Sequence, residues 1–132
     1  MKRKPIPKLI RQKVYDKYDG HCAYCGYPIE YKDMQIDHIS PVYKAEYYDK
    51  PLDESLDNLN PSCRMCNFYK STYTLEGFRK RLSVTLMENL RKSFDYRLAL
   101  RYGLIKETGM PVIFYYEKGG HKDECHATAK DK

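Results

Sequence analysis

The chain has 132 residues, a formal net charge of +6 and a calculated pI near 9.0. That length suits one modest domain with a short extension. The positive balance fits an anionic partner such as nucleic acid, or a soluble basic protein with none. No segment approaches the length of a membrane-spanning helix, so no membrane partner is expected. The basic start, Met1 to Pro5, is followed by no apolar stretch of the kind a secretory leader carries. The expected compartment is a reducing cytoplasm.

The composition is thin for a fold held by apolar burial alone. There are 14 Tyr, 4 Phe and no Trp, and charged residues make up 32%. Small domains of this kind commonly lean on a metal or a disulfide. Five cysteines are present.

In chain order, Ile6, Ile10, Val14 and Tyr18 recur every four residues, with Leu9 beside them. This predicts a helix over 6–18, ended by Gly20. Cys22-Ala23-Tyr24-Cys25-Gly26 is a tight CxxC turn. Residues 34–39 alternate apolar and polar and predict a short strand, stopped by Pro41. Residues 42–57 read as a polar loop, functional or variable. A second pair, Cys63-Arg64-Met65-Cys66, opens a helix near Arg64 that carries Asn67 and Lys70.

Leu75, Phe78, Leu82, Leu86 and Leu90 then recur at helical spacing, and residues 94–102 predict a further helix ended by Gly103. Residues 112–116, Val-Ile-Phe-Tyr-Tyr, predict a late strand. The chain thus divides into a cysteine-containing unit at 1–74, a mainly helical extension with a late strand at 75–117, and a polar tail at 118–132 expected to be disordered. In the extension, Arg79, Lys80, Arg81, Arg91, Lys92, Arg97 and Arg101 offer either phosphate contacts or a solvated face on packed helices. The solvated face is the simpler reading. In the tail, Cys125 between His121 and His126 reads as a free thiol rather than part of a second metal site.

Two CxxC pairs separated by 37 residues supply four thiolates, which form a closed tetrahedral zinc site. A redox CxxC would need a single pair at a helix start in a βαβ setting, and disulfides are disfavoured in a reducing compartment. Cys22, Cys25, Cys63 and Cys66 are therefore assigned to structural Zn²⁺. A closed site leaves no position open for catalysis.

Within that frame lie Asp37, His38, Asn58, Asn67 and Lys70. A carboxylate and an amide oxygen suit Mg²⁺ or Mn²⁺. A histidine beside them can take a proton from water near neutral pH, and a lysine can contact a phosphate. These are the parts of a phosphodiester hydrolase. Singly, each has a plainer reading: a surface salt bridge for Asp37, a satisfied strand histidine for His38, turn or capping residues for Asn58 and Asn67. In combination the plain readings lose ground.

The combination resembles the HNH endonuclease family in its four-cysteine form. The text that carries the resemblance is Cys22-Ala-Tyr-Cys25-Gly, Ile36-Asp37-His38-Ile39, Asp57-Asn58-Leu59 and Cys63-Arg-Met-Cys66-Asn67-Phe-Tyr-Lys70, in the family's order, over about residues 8–74. The resemblance implies an α+β fold, a ββα-metal finger with a hairpin packed on a helix. His38 would be the general base. Asp37 and Asn67 would hold a catalytic Mg²⁺ or Mn²⁺, and Asn58 would hold the hairpin loop so that His38 is oriented. Lys70 would lie near the DNA backbone. Cleavage would leave a 5′-phosphate and a 3′-hydroxyl. The third signature position is Asn67 rather than histidine, an HNN variant, which favours hard divalent ions. Ser71 stands where many relatives have glycine. The competing expectation is a zinc-finger module that binds nucleic acid without cutting it.

Overall fold

The computed structural model describes residues 5–40 and 54–119. Most of the polar loop and nearly all of the tail, Cys125 included, lie outside the described residues.

Helix α1 spans Lys8–Asp16, shorter at both ends than the apolar spacing predicts. Its Val14 is fully buried and packs with Met34 and Leu59, and Ile10, Tyr15, Ile29 and Ile36 close around them. Leu9 points to solvent instead. Two cations fasten α1 to later segments of the chain. Arg11 donates to the carbonyls of Tyr31 (2.8 Å) and Met34 (2.9 Å). Lys17 donates to the carbonyls of Leu56 (2.7 Å) and Leu59 (2.6 Å) and to Asn60 Oδ1 (3.2 Å). Burial pulls the Lys17 ammonium below its ordinary value, against the charge of Asp57. The chain leaves α1 through Gly20 at φ +77°, where a Cβ would sit 2.9 Å from Tyr15 Oη. Glycine is required there on both counts.

Strand β1, Gln35–His38, pairs antiparallel with β2, Leu59–Ser62. Asp37 lies opposite Asn60, and His38 opposite Leu59. The second strand contains Pro61, which donates no ladder bond and is tolerated in a sheet of two edge strands. Helix α2, Arg64–Lys70, starts on Cys63, whose sulfur accepts the Cys66 N–H. It ends at Ser71, held at φ 50° and ψ −127°.

Beyond the hairpin, Leu75–Lys80 (α3), a π-helical segment Arg81–Thr85 and Leu86–Arg91 (α4) run on without a break. Thr74 caps this run by accepting the Gly77 N–H. Helix α5, Phe94–Arg101, is capped by Ser93. The late strand predicted at 112–116 is not formed. The segment approaches extended, donates from Tyr115 to the Tyr24 carbonyl (3.0 Å) and from Tyr116 to that of Ala23 (2.9 Å), and turns into a 3₁₀ helix at Tyr115–Lys118. The β-branched and aromatic residues are there, but the CxxC turn offers two carbonyls rather than a strand edge. Glu117 then accepts the Phe114 N–H (2.8 Å), which favours a turn.

This docking builds a second core. Cys22, Tyr24, Phe78 and Phe114 are buried together, with Leu75, Leu82, Tyr69 and Val112 around them. The Phe78 and Phe114 rings stack at 5.2 Å, and each meets the Tyr24 ring edge-on at 5.5 and 5.3 Å. Each such pair adds about 0.5–1.5 kcal/mol beyond its buried area. Several basic residues of the extension are engaged inside the chain. Arg79 pairs with Glu76 and Glu117 and lies over Phe114, Arg91 pairs with Glu107, and Arg81 lies over the rings of Tyr69 and Tyr73. No described helix is long and apolar enough to cross a membrane.

The fold is thus a small α+β unit, a two-stranded antiparallel sheet among helices.

Candidate active site and metal centre

The four cysteine sulfurs lie within 4.8 Å of one another, with Cys25 and Cys63 3.8 Å apart. Bonds of about 2.3 Å to one tetrahedral ion require sulfur separations of about 3.8 Å. The cluster therefore has the size and chemistry of a zinc site. It is prepared by the backbone. The Cys63 N–H points at the Cys22 sulfur and the Cys66 N–H at the Cys63 sulfur, both at 3.3 Å. Hydrogen bonds from neighbouring thiols, Cys25 first, bring Cys22 down to about 7. Contacts with Cys22 and the other sulfurs lower Cys63 as well. The same shared contacts raise Cys25 and Cys66, so without an ion the four sulfurs keep protons between them. The two turns meet through the Ala23 N–H, which donates to the Pro61 carbonyl at 2.8 Å.

Asp37 and His38 end β1, both buried. The chain after them is clasped by Asn58. Its side-chain oxygen accepts the Ser40 N–H at 2.8 Å, and its carbonyl accepts the Ile39 N–H at 2.9 Å. Asn58 thus bonds both residues that follow His38. His38 Nε2 lies 3.1 Å from Glu54 Oε1, and its carbonyl accepts from Lys70.

Asp37 is surrounded by donors. Tyr24 Oη donates to Oδ2 at 2.6 Å, and Lys70 Nζ lies 3.1 Å from Oδ2 and 3.3 Å from Oδ1. Burial pushes the Asp37 carboxyl above its ordinary value, while the Lys70 ammonium and the Tyr24 hydroxyl draw it back.

Lys70 departs from the sequence expectation. The phosphate contact expected of it needs an exposed ammonium, but its side chain is fully buried and its charge is spent on Asp37 and the His38 carbonyl. The reason lies in the helix. α2 turns Arg64, Met65 and Phe68 to solvent and Lys70 toward β1. A carboxylate as buried as Asp37 needs a counter-charge. Asn67, half-buried, stands one helical turn before Lys70 on α2. Its side chain makes no hydrogen bond among the described residues.

Two residues of this constellation are not singled out by the sequence. Tyr24 lies inside a metal-binding turn, where it reads as a spacer. Glu54 lies in a polar loop without a pattern. The one signal in the sequence is the placement of an aromatic hydroxyl between two zinc-type cysteines.

A carboxylate and a side-chain amide are oxygen donors of the type that hard divalent ions take. Asp37 Oδ1 carries a single long contact, and Asn67 supplies an amide oxygen without a partner among the described residues.

Comparison with known proteins agrees with this arrangement. Residues 22–72 match the family model described as HNH endonuclease. Among solved structures, the chain is similar to the Type II-C Cas9 enzyme from Actinomyces naeslundii, with a TM-score of 0.53 and 21% identity. That likeness covers 91% of this chain but only 9% of the other, so the chain spans a small part of that enzyme's length, and at this identity it speaks for the fold alone. No curated protein matches. Residues 22–72, which build the cysteine-framed hairpin and its helix, are thus the part of this chain that is similar to the HNH endonuclease family.

Proposed function

We propose that the chain is a divalent-metal-dependent endonuclease that hydrolyses DNA phosphodiester bonds, with structural Zn²⁺ on Cys22, Cys25, Cys63 and Cys66. The observation that carries this reading is the end of β1. There Asp37 and His38 follow one another in the chain, with Asn58 holding the residues after them and α2 pinned to them through Lys70.

In this reading Asp37 and Asn67 would hold Mg²⁺ or Mn²⁺, which would supply Lewis-acid stabilisation of charge on the phosphate. His38 takes the proton of the attacking water. Its ring faces the Glu54 carboxylate through Nε2, a contact that fixes the ring. Asn58 holds the loop that aims the ring. Lys70 serves as the internal counter-charge of Asp37 rather than as a DNA contact.

The test is plasmid nicking by zinc-loaded protein freed of loosely bound ions, with Mg²⁺ or Mn²⁺ then restored. Wild type should cut only with the added ion, and His38→Ala should lose at least about 100-fold of the activity while keeping its zinc. Wild type that binds DNA but never cuts it would transfer the assignment to a binding module without catalysis.

A further inference from the structure

We propose that Tyr24 is a positioning residue for the catalytic cation: its hydroxyl fixes which oxygen of Asp37 is presented to the ion. The proposal rests on the reading of Asp37 as a cation ligand.

The geometry is specific. Tyr24 is buried, and its ring is held edge-on by Phe78, Phe114 and Tyr116. Its hydroxyl lies 2.6 Å from Asp37 Oδ2 and receives Asn60 Nδ2 at 3.4 Å. A phenol has one proton to give. With Asn60 donating into a lone pair, that proton goes to Asp37.

The two carboxylate oxygens are therefore unequal. Oδ2 is filled by the Tyr24 hydroxyl and the nearer approach of Lys70, and Oδ1 by Lys70 alone at 3.3 Å. Without the hydroxyl, the carboxylate is free to rotate about its Cβ–Cγ bond and turn either oxygen to Lys70, which competes with a cation for both. With it, Oδ1 is the oxygen offered, and ligation is through one oxygen.

Tyr24 is itself anchored on two sides. It stands between zinc-type ligands Cys22 and Cys25, and its carbonyl accepts the Tyr115 N–H. The direction of Asp37 is thus referenced to the cysteine cluster and to the extension. Hydrogen-bond partners of this kind usually contribute about 10–100-fold to metal affinity or activity.

The experiment compares Mn²⁺ binding by the full-length, zinc-loaded protein, read from the spectrum of free Mn²⁺ by electron paramagnetic resonance with a DNA duplex present. The background is His38→Ala, so that the duplex stays uncut. Adding Tyr24→Phe, which keeps the ring, should weaken Mn²⁺ binding by about 10-fold or more. Zinc content should stay at one per chain and the melting temperature within a few degrees. Unchanged Mn²⁺ affinity overturns the proposal. So does a loss of Mn²⁺ binding that tracks lost zinc or a collapsed melting transition, since that marks a purely structural tyrosine. Asp37→Ala in the same background separates the two layers. If it leaves Mn²⁺ binding intact, Asp37 is not a ligand and both readings fall. If it abolishes binding while Tyr24→Phe does not weaken it, only the role of Tyr24 falls.

Discussion

Lys70→Met tests whether the buried lysine is a counter-charge. The Lys70 ammonium lies 3.1 Å from Asp37 Oδ2, and their side chains are 0% and 6% exposed. Breaking a pair this buried leaves one charge without compensation, which costs about 3–5 kcal/mol. The Tyr24 hydroxyl still serves Asp37, and the carboxyl can take up a proton, so the lower end, about 3 kcal/mol, is expected. For a chain of 132 residues that corresponds to a fall of roughly 11 °C in Tm. Asp37→Asn should be costly for the converse reason, since it strands the ammonium. The double variant Lys70→Met with Asp37→Asn should be more stable than the sum of the single costs by about 2 kcal/mol, because neither charge remains. Urea denaturation of the zinc-loaded proteins, followed by circular dichroism, measures all four corners of the cycle. A Lys70→Met cost below about 1 kcal/mol, or single effects that simply add, would refute the reasoning and return Lys70 to the surface role expected from sequence.

Two other outcomes are expected. Removing the ion from the cysteine cluster, by complete chelation or by Cys66→Ser, should unfold the domain, since a site of this kind contributes on the order of 10 kcal/mol; a melting curve unchanged after full chelation would contradict this. Ser71→Gly should raise the urea midpoint by an amount equivalent to about 1 kcal/mol, because φ 50° with ψ −127° suits only glycine well, and a lowered midpoint would show that the serine is held there by a compensating contact.

The reach of each force decides how much of the structure is legible in the sequence. The cysteine pairs and the start of α2 are legible because ligand spacing and helix capping are local, and β1 is legible from its alternation. The second strand is hidden by Pro61, which reads as a breaker and is tolerated because the sheet has two strands among the described residues. The π-helical turn at Arg81–Thr85 leaves no mark on a leucine spacing that α and π turns both satisfy approximately. The segment at 112–116 shows the limit of propensity. Val112 to Tyr116 suit a strand, but a strand also needs an edge to pair with, and a turn supplies only two carbonyls. At the site, residue types announce Asp37, His38 and Asn67. The burial of Lys70 is not legible, since lysine is a surface residue unless something far along the chain needs its charge. Here that is a carboxylate 33 positions earlier.

The two cores carry a consequence for moving this unit between proteins. Each draws on residues outside the matched segment 22–72: Val14 in one, Phe78 and Phe114 in the other. Lys17, also outside it, ties α1 to the approach of β2 through three acceptors. A graft limited to the signature would carry the chemistry without its walls. Tyr24 would face solvent, and Leu59 would lose the helix that covers it. The smallest portable piece is expected to run from about α1 to the 3₁₀ turn at Tyr115–Lys118, wider than the segment that carries the signature.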